Sequence, residues 1–260
     1  MKSVLVTGGT GLLGRQVIPR LLAEGATVRA IARRPGPQRP GLTWIQGDLH
    51  APETMPRAME GADTVLHLAT QPLKASADLD LAQRLLQSLP ASDVRHLVYM
   101  SITGLERMQR APYYREKLEI ERLFGASGVP LTVQRSTQFH EFIAQLLQRL
   151  TVGPLALVPT GVTLQPVAVQ AVAQALVQRT LGDPAGHAQE LAGPDTLTLE
   201  HLARSWRGRR GGLLRLPLPV PLFRAWQEQA AVGHRAEVVG ESWASWLTTT
   251  TRERAKAVLT

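Results

Sequence analysis

The chain has 260 residues, with 29 basic and 21 acidic side chains and a formal net charge of +8 at pH 7. It contains no cysteine, which excludes disulfides, cysteine nucleophiles and thiolate metal sites. No stretch approaches the roughly 20 apolar residues of a membrane span, and no charged-then-apolar leader precedes the first predicted strand, so we expect a soluble cytoplasmic protein. All but four basic residues are arginines scattered along the chain, a pattern that favours coding bias over nucleic-acid binding.

A glycine-rich turn joins the first predicted strand, residues 2–7, to an amphipathic helix. In the turn TGGTGLLG, Gly8 permits the tight bend and Gly11 lets a pyrophosphate approach the backbone. Gly14 allows the helix to pack closely on the strand. The diphosphate would lie over the free N–H groups at the start of the helix. The residues predicted to contact this dinucleotide are Thr7, Gly8, Thr10, Gly11, Leu12 and Leu13.

The second predicted strand, residues 27–32, ends on Arg33 and Arg34, where NAD-binding units usually carry an acidic residue for the ribose hydroxyls. A guanidinium makes two charge-assisted hydrogen bonds to a 2′-phosphate but gains little beside a bare ribose. We therefore predict that the cofactor is NADP(H) and that both arginines contact its 2′-phosphate. The alternative is a solvated basic turn.

The other predicted strands should end at the edge of the sheet where the glycine-rich turn begins. Apolar strands alternate with amphipathic helices, which predicts an α/β fold with a doubly wound parallel sheet and a ligand crevice at the carboxyl ends of its strands. Ala69 and Thr70 end the fourth strand and should run past the ribose and phosphates of the cofactor. Ser101 ends the fifth strand, and His67 is predicted to be a core histidine. The remaining predicted strands are residues 42–46, 64–69, 96–101 and 131–135.

Tyr113 and Lys117 follow Pro112, which suits the first position of a helix. Both side chains should then lie on one helical face. Reduction of a carbonyl needs a proton donor at the oxygen, and a neighbouring ammonium and a helix N-terminus both favour the phenolate left behind. Two alternatives stay open: Lys117 pairs with Glu121 beside an exposed Tyr113, or Tyr114 is the donor.

These motifs resemble the short-chain dehydrogenase/reductase superfamily, and more narrowly its atypical, NmrA-like members. The resemblance implies a Rossmann-type fold and a Ser-Tyr-Lys triad, in which Lys117 also holds the nicotinamide ribose and Ser101 bonds to the substrate oxygen. It also implies that Asp48 and Leu49 face the adenine, although Asp48 could equally cap a helix beginning near Pro52. Asparagine is absent from the chain, so the fourth member of the usual tetrad is missing.

After the sixth strand, the resemblance implies that Gln138, Phe139 and His140 lie beside the nicotinamide and the substrate, with His140 as a substitute acid. An alternative that stays equally open is that Phe139 and Phe142 pack in the core and His140 is a polar group on the surface. A helix should open within this segment.

From about residue 151, prolines separate short elements. We divide the chain into an NAD(P)-binding Rossmann domain, residues 1–150, and a C-terminal substrate-binding extension packed on it, residues 151–260. The one basic cluster is interpreted as a solvated loop after a helix, and the alternative is that it contacts an anionic ligand or partner. Its members are Arg204, Arg207, Arg209 and Arg210.

The sequence thus predicts an NADPH-dependent oxidoreductase that transfers hydride to a small carbonyl, quinone or similar electrophile. The alternative is a catalytically inactive, redox-sensing regulator of the NmrA type that binds NADP(H). The histidines show no metal-ligand spacing, and the expected partner is a small-molecule substrate, not a membrane or nucleic acid. Substrate identity and oligomeric state do not follow from the sequence.

Overall fold

The structure is a computed structural model that describes residues 1–71, 74, 76–208, 212–217 and 220–258, with the backbone alone for 251–258. The strands are β1 (Ser3–Thr7), β2 (Thr27–Ala32), β3 (Leu42–Gln46), β4 (Thr64–His67), β5 (His96–Ile102), β6 (Leu131–Ser136), β7 (Thr151–Val152), β8 (Leu155–Pro159), β9 (Thr163–Leu164), β10 (Gly186–His187), β11 (Leu191–Ala192), β12 (Leu197–Thr198), β13 (Gly212–Leu216) and β14 (Glu237–Val238). The helices are α1 (Leu12–Ala23), α2 (Thr54–Met59), α3 (Ala77–Ser88), α4 (Pro112–Gly125), α5 (His140–Arg149), α6 (Val169–Leu181), α7 (Leu199–Arg207), α8 (Pro221–Gln227) and α9 (Trp243–Val258).

The chain forms two compact units, and each is discontinuous in sequence. The predicted division at residue 150 supposes continuous domains, and it stays a prediction. The first unit comprises Met1–Ser101, Pro112–Arg135 and Ala173–Ala188. The second unit comprises Ile102–Ala111, Ser136–Val172 and the C-terminal part from Gln189.

The first unit is built on a parallel sheet. Strands β3, β2, β1, β4 and β5 pair in parallel in that order, β6 continues the sheet beyond β5, and β10 pairs in parallel with β6. Each of the six strands predicted between residues 2 and 135 forms within two residues of its predicted bounds. The predicted α/β fold with a parallel, Rossmann-like sheet is therefore confirmed.

Helices cover both faces of this sheet, and its central strands are buried. All four residues of β4 are buried, as expected for a parallel strand covered on both faces. Helix α1 packs along β1 and β2. Helices α2, α3 and α4 contribute to one apolar cluster with the sheet, whose larger members include Leu5, Met55, Met59, Val65, Leu81, Leu85, Leu97, Ile120, Phe124 and Val133.

The second unit contains short strands. β11 pairs in parallel with β14 and contacts Ser136 at the end of β6, whereas β12 pairs antiparallel with β9. β8 lies between β7 and β13. Helix α5 begins at His140 and not earlier, because Phe139 forms a parallel bridge with Val167 that keeps the preceding backbone extended.

None of the helices in the described part of the chain is long and apolar enough to cross a membrane. In the basic cluster, Arg204 pairs with Glu200, and Arg207 donates hydrogen bonds to the Thr151 hydroxyl and to a backbone carbonyl. Both arginines lie in the last turn of α7. Arg209 and Arg210 lie outside the described residues.

Candidate active site

The glycine-rich turn has the geometry that the sequence predicts. Gly8 has a φ of +72°, and a Cβ atom added there would lie 2.7 Å from the backbone nitrogen of Ala69. A Cβ on Gly14 would lie 2.6 Å from the Cα of Gly9, so only glycine lets α1 approach the turn this closely. The backbone N–H groups at the start of α1 receive no side-chain cap. Because N–H groups at a helix N-terminus point out along the helix axis, they suit an anion such as a diphosphate.

Thr7 ties this turn to the end of β4. Its buried hydroxyl accepts the N–H groups of Leu68 and Ala69, both at 3.2 Å, and lies 2.9 Å from Nδ1 of His67. Burial lowers the pKa of His67 to about 3, so the imidazole is neutral. The prediction that His67 is a core histidine is confirmed. The hydrogen bonds of the Thr7 hydroxyl thus join the end of β1 to the end of β4.

An open cleft of about 1020 Å³ adjoins the glycine-rich turn. No acidic residue lines it, and the guanidinium groups of Arg33 and Arg34 form no ion pair within the described ranges. Its lining includes Gly9, Thr10, Arg15, Arg33, Arg34, Arg39 and Trp44. We call it the arginine cleft. It concentrates positive charge beside the predicted diphosphate position, which suits a further phosphate group.

Asp48 does not cap α2. Glu53 occupies the position before that helix, and Oδ1 of Asp48 instead accepts the backbone N–H of His50 at 3.0 Å. The capping interpretation is therefore wrong, because the chain makes a turn at Asp48 before α2 begins at Thr54. Asp48 is exposed, and Leu49 is partly buried against the apolar cluster. Their contact with an adenine stays a prediction.

Helix α4 begins at Pro112, as predicted, and presents Tyr113 and Lys117 on one side. The Tyr113 hydroxyl lies 3.1 Å from Oγ1 of Thr70, and Thr70 donates to Oδ2 of Asp78 at 2.5 Å. The Lys117 ammonium lies 3.4 Å from the same Oδ2 atom. A network thus joins the predicted proton donor to the predicted lysine through two residues, Thr70 and Asp78.

Lys117 is not paired with Glu121. Arg135 holds Glu121 through two short hydrogen bonds, of 2.6 and 2.9 Å, and this pairing makes the alternative wrong. Burial opposes the charged form of Lys117, but the phenols of Tyr99 and Tyr113 and the Asp78 carboxylate outweigh it and raise the pKa of Lys117. Lys117 is therefore an ammonium in the folded protein.

The two neighbouring tyrosines differ in their access to solvent. Tyr113 is half-buried, whereas Tyr114 is buried, and burial raises the pKa of the Tyr114 phenol. Of these two tyrosines, the described part of the structure connects Tyr113, and not Tyr114, to the network of Thr70, Asp78 and Lys117. This favours Tyr113 over Tyr114 as the candidate donor.

Ser101 is the next-to-last residue of β5, and its hydroxyl is buried and makes no hydrogen bond to any described residue. β4 and β5 are paired so that His67 lies opposite Tyr99, which brings Ser101 level with Ala69. Ser101 therefore shares the sheet edge from which Thr70 projects. A buried hydroxyl without a partner is costly and fits a ligand atom, which agrees with its predicted role.

Gln138 and His140 belong to the second unit. Neither polar atom of the buried Gln138 side chain finds a partner in the described residues. His140 is fully buried, with Nε2 3.2 Å from the carbonyl of Glu241 and its ring stacked on Trp246; burial lowers its pKa. The surface interpretation of His140 is therefore wrong. Phe139 is only partly buried and Phe142 is exposed, so the interpretation that both pack in the core is also wrong.

Asp78 is the site residue that the sequence did not reveal. It lies in the first turn of α3, is buried, and accepts the N–H of Gln71 at 2.6 Å in addition to its contacts with Thr70 and Lys117. Its position in the first turn of the helix after β4 could have indicated a role in the site. Asp80 lies in the same turn, however, so the sequence does not distinguish the two aspartates. Among the described residues no group of His, Asp and Glu is arranged to hold a metal ion.

Comparisons with known proteins agree with this geometry. A family model described as NAD(P)H-binding matches residues 8–180. The photosystem II assembly factor Ycf39 of Trieres chinensis is 31% identical over 173 residues, which cover 62% of this chain and 52% of that protein. The (4-alkanoyl-5-oxo-2,5-dihydrofuran-3-yl)methyl phosphate reductase of Streptomyces griseus is 33% identical over 140 residues, 52% of this chain and 48% of that protein. The chain thus spans about half of the length of these relatives.

A solved structure shares the fold along nearly the whole chain. The NADPH-dependent quinone oxidoreductase of Escherichia coli, complexed with NADPH, superposes with a TM-score of 0.77 at 17% identity and covers 95% of this chain and 99% of that one. At this identity the likeness concerns the fold alone. Because the family model matches well over half of its residues, the chain belongs to the NAD(P)H-binding family.

Proposed function

We propose that the protein is an NADPH-dependent oxidoreductase that transfers hydride to a small carbonyl, quinone or similar electrophile. The observation that carries the proposal is the network of Tyr113, Thr70, Asp78 and Lys117 beyond the carboxyl end of β4, in which Asp78 and Lys117 are buried. The network links a phenol, through a threonine hydroxyl, to a carboxylate that is paired with an ammonium. Such an arrangement is typical of proton transfer.

The arginine cleft supports NADPH in preference to NADH. Arg33 and Arg34 directly follow β2. In dinucleotide-binding parallel sheets of this type, the adenosine ribose binds near the end of the second strand. Their guanidinium groups are exposed and lie in a cleft without acidic residues. A 2′-phosphate would give them charge-assisted hydrogen bonds that a plain ribose hydroxyl does not offer.

When bound, the reduced nicotinamide supplies the hydride. Tyr113 donates its phenolic proton to the oxygen that becomes electron-rich, and the Lys117 ammonium stabilises the phenolate that remains. Ser101 offers a buried hydroxyl to the same oxygen. Gln138, Phe139 and His140 are proposed to line the substrate pocket, and residues from 151 onward to contribute the rest of it.

Calorimetry with NADPH and NADH, followed by spectrophotometric assays of NADPH consumption with a panel of quinones and aldehydes, tests this function. We expect NADPH to bind about tenfold or more tightly than NADH, and at least one acceptor class to be reduced. Absence of binding heat with either coenzyme would contradict the proposal. A preference for NADH would contradict only the choice of cofactor.

A second candidate function is a redox-sensing regulator that binds NADP(H) without turnover. It is favoured by the names of several relatives, which are called photosystem II assembly factors and not enzymes. Such a protein would retain the glycine-rich turn and the arginine cleft but would not use the Tyr113 proton. Tight NADPH binding without consumption by any acceptor in the panel would support it.

A further inference from the structure

We propose that Asp78 is the positioning residue of this site: its carboxylate fixes the Lys117 ammonium and, through the Thr70 hydroxyl, orients the Tyr113 phenol as a proton donor. The inference rests on the proposed function, in which Tyr113 donates a proton to the substrate oxygen when the substrate accepts hydride.

The hydrogen-bond directions follow from a count of protons. A carboxylate only accepts, so the single hydroxyl proton of Thr70 points to Asp78 at 2.5 Å. The lone pairs of Thr70 are then left for Tyr113, whose own proton must lie between the two oxygens, 3.1 Å apart. Asp78 thereby keeps Tyr113 protonated, with the phenolic proton shared with Thr70 until a substrate oxygen replaces Thr70 as its acceptor. This is the form required of a donor.

Asp78 also fixes the backbone around the site. Its Oδ1 atom accepts the N–H of Gln71 at 2.6 Å while Oδ2 accepts from Thr70 and faces Lys117. The segment after β4 is therefore tied to the first turn of α3, and α3 is tied to α4. One side chain aligns the elements that carry all three polar groups.

Asp78 is the carboxylate that opposes the charge of Lys117. The other titratable groups facing this ammonium are His67 from β4, Tyr99 from β5 and Tyr113 from α4. His67 is neutral, because burial lowers its pKa to about 3. With the pair almost fully buried, solvent screens little of the interaction, and the ammonium's field at Tyr113 is partly cancelled by Asp78.

The experiment compares Asp78→Asn with Asp80→Asn. Both aspartates lie in the first turn of α3, but Asp80 is exposed, so it is a matched control. Phenolate formation is followed by near-ultraviolet absorbance, as the difference between each protein and its Tyr113→Phe counterpart. The chain has only three tyrosines, so subtracting the spectrum of the Tyr113→Phe counterpart isolates the signal of Tyr113.

We expect Tyr113 in Asp78→Asn to ionise about one pH unit lower than in the unsubstituted protein, because the ammonium is no longer offset. The alkaline limb of the kcat/KM profile for NADPH consumption should move in the same direction, and kcat should fall about tenfold with NADPH affinity within about threefold. Asp80→Asn should change none of these. An unchanged Tyr113 titration in Asp78→Asn would overturn the proposal.

Thr70 provides a second test should Asp78→Asn fold poorly. Thr70 is exposed, and Thr70→Val removes the link to Tyr113 while leaving the Lys117–Asp78 pair intact. We expect Thr70→Val to shift the Tyr113 titration to lower pH and Thr70→Ser to restore it. An identical titration in Thr70→Val and in the unsubstituted protein would overturn the proposal. Because the titration needs no turnover, lack of NADPH consumption by the unsubstituted protein would contradict only the proposed function.

Discussion

The ammonium of Lys117 lies 3.4 Å from Oδ2 of Asp78, and the two side chains are only 5% and 3% exposed. The pair joins α4 to α3 and is not a contact within one helix. Each charge has lost most of its hydration and depends on the other for compensation. The pair therefore connects the stability of the first unit to the arrangement of the candidate active site.

Replacing Lys117 by Met should destabilise the protein by about 3–5 kcal/mol, because Asp78 would be left as an uncompensated buried charge. Arg122→Met in the same helix is the matched control, since its ion pair with Glu119 is exposed. That change should cost about 1 kcal/mol or less. Urea unfolding of the three proteins measures both values. Equal losses for the two variants would show that the buried pair has no special weight.

Tyr113→Phe should lower kcat for NADPH consumption by about 10²- to 10⁴-fold, the usual contribution of a positioned general acid. Coenzyme affinity should stay unchanged, since the phenol hydroxyl contacts Thr70 and not the glycine-rich turn. Tyr114→Phe is the control for the neighbouring ring and should retain activity within a few-fold. Steady-state assays with the best acceptor of the panel check this. A larger loss in Tyr114→Phe would transfer the donor role to Tyr114.

The sequence predicted those features that depend on local pattern. The strands 27–32 and 42–46 form as predicted, because apolar runs bounded by turns specify them directly. The glycine-rich turn and the start of α4 at Pro112 are likewise local, since backbone sterics decide them.

Partners distant in sequence could not be predicted in this way. Helical spacing is compatible with an ion pair between Lys117 and Glu121. In the structure, Glu121 pairs with Arg135 on β6 instead, and Lys117 pairs with Asp78 on α3. His140 was equally ambiguous, because its burial depends on tryptophans about 100 residues later, at Trp243 and Trp246. Such choices are made by tertiary packing, which a single sequence does not display.

Arg33→Ala and Arg34→Ala should each weaken NADPH binding by about 10- to 100-fold, the equivalent of one charge-assisted contact to phosphate. NADH binding should change by no more than about twofold, because it has no 2′-phosphate to lose. Arg122→Ala, a surface arginine outside the arginine cleft, is the control. Calorimetry at low and high salt measures the effect, which should shrink as salt screens the exposed cleft. Equal losses for both coenzymes would indicate a general effect on the fold.

Gly14→Ala should abolish coenzyme binding and lower stability. The added methyl group would lie 2.6 Å from the Cα of Gly9, so α1 and the turn would have to separate. Gly125→Ala is the matched control: it is the last residue of α4, and its added Cβ meets no atom within 4 Å. That change should be neutral or stabilising by about 0.4–1 kcal/mol. Thermal unfolding with and without NADPH tests both, and retained binding in Gly14→Ala would contradict the assigned packing role.

Acidification should destabilise the protein through His67. Its pKa is about 3 in the folded protein against 6.5 for a free histidine, because burial disfavours the imidazolium. The unfolded chain therefore binds one more proton between these values. Stability from this residue is fully present above pH 6.5 and declines by about 1.4 kcal/mol per pH unit as the pH falls toward 3. Urea unfolding between pH 7 and pH 4.5 measures the slope of the free energy of unfolding against pH. This slope should become shallower by that amount in His67→Gln. His201→Gln is the control, because His201 is exposed, and it should leave the slope unchanged. The same slope in all three proteins would mean that His67 takes up its proton without unfolding.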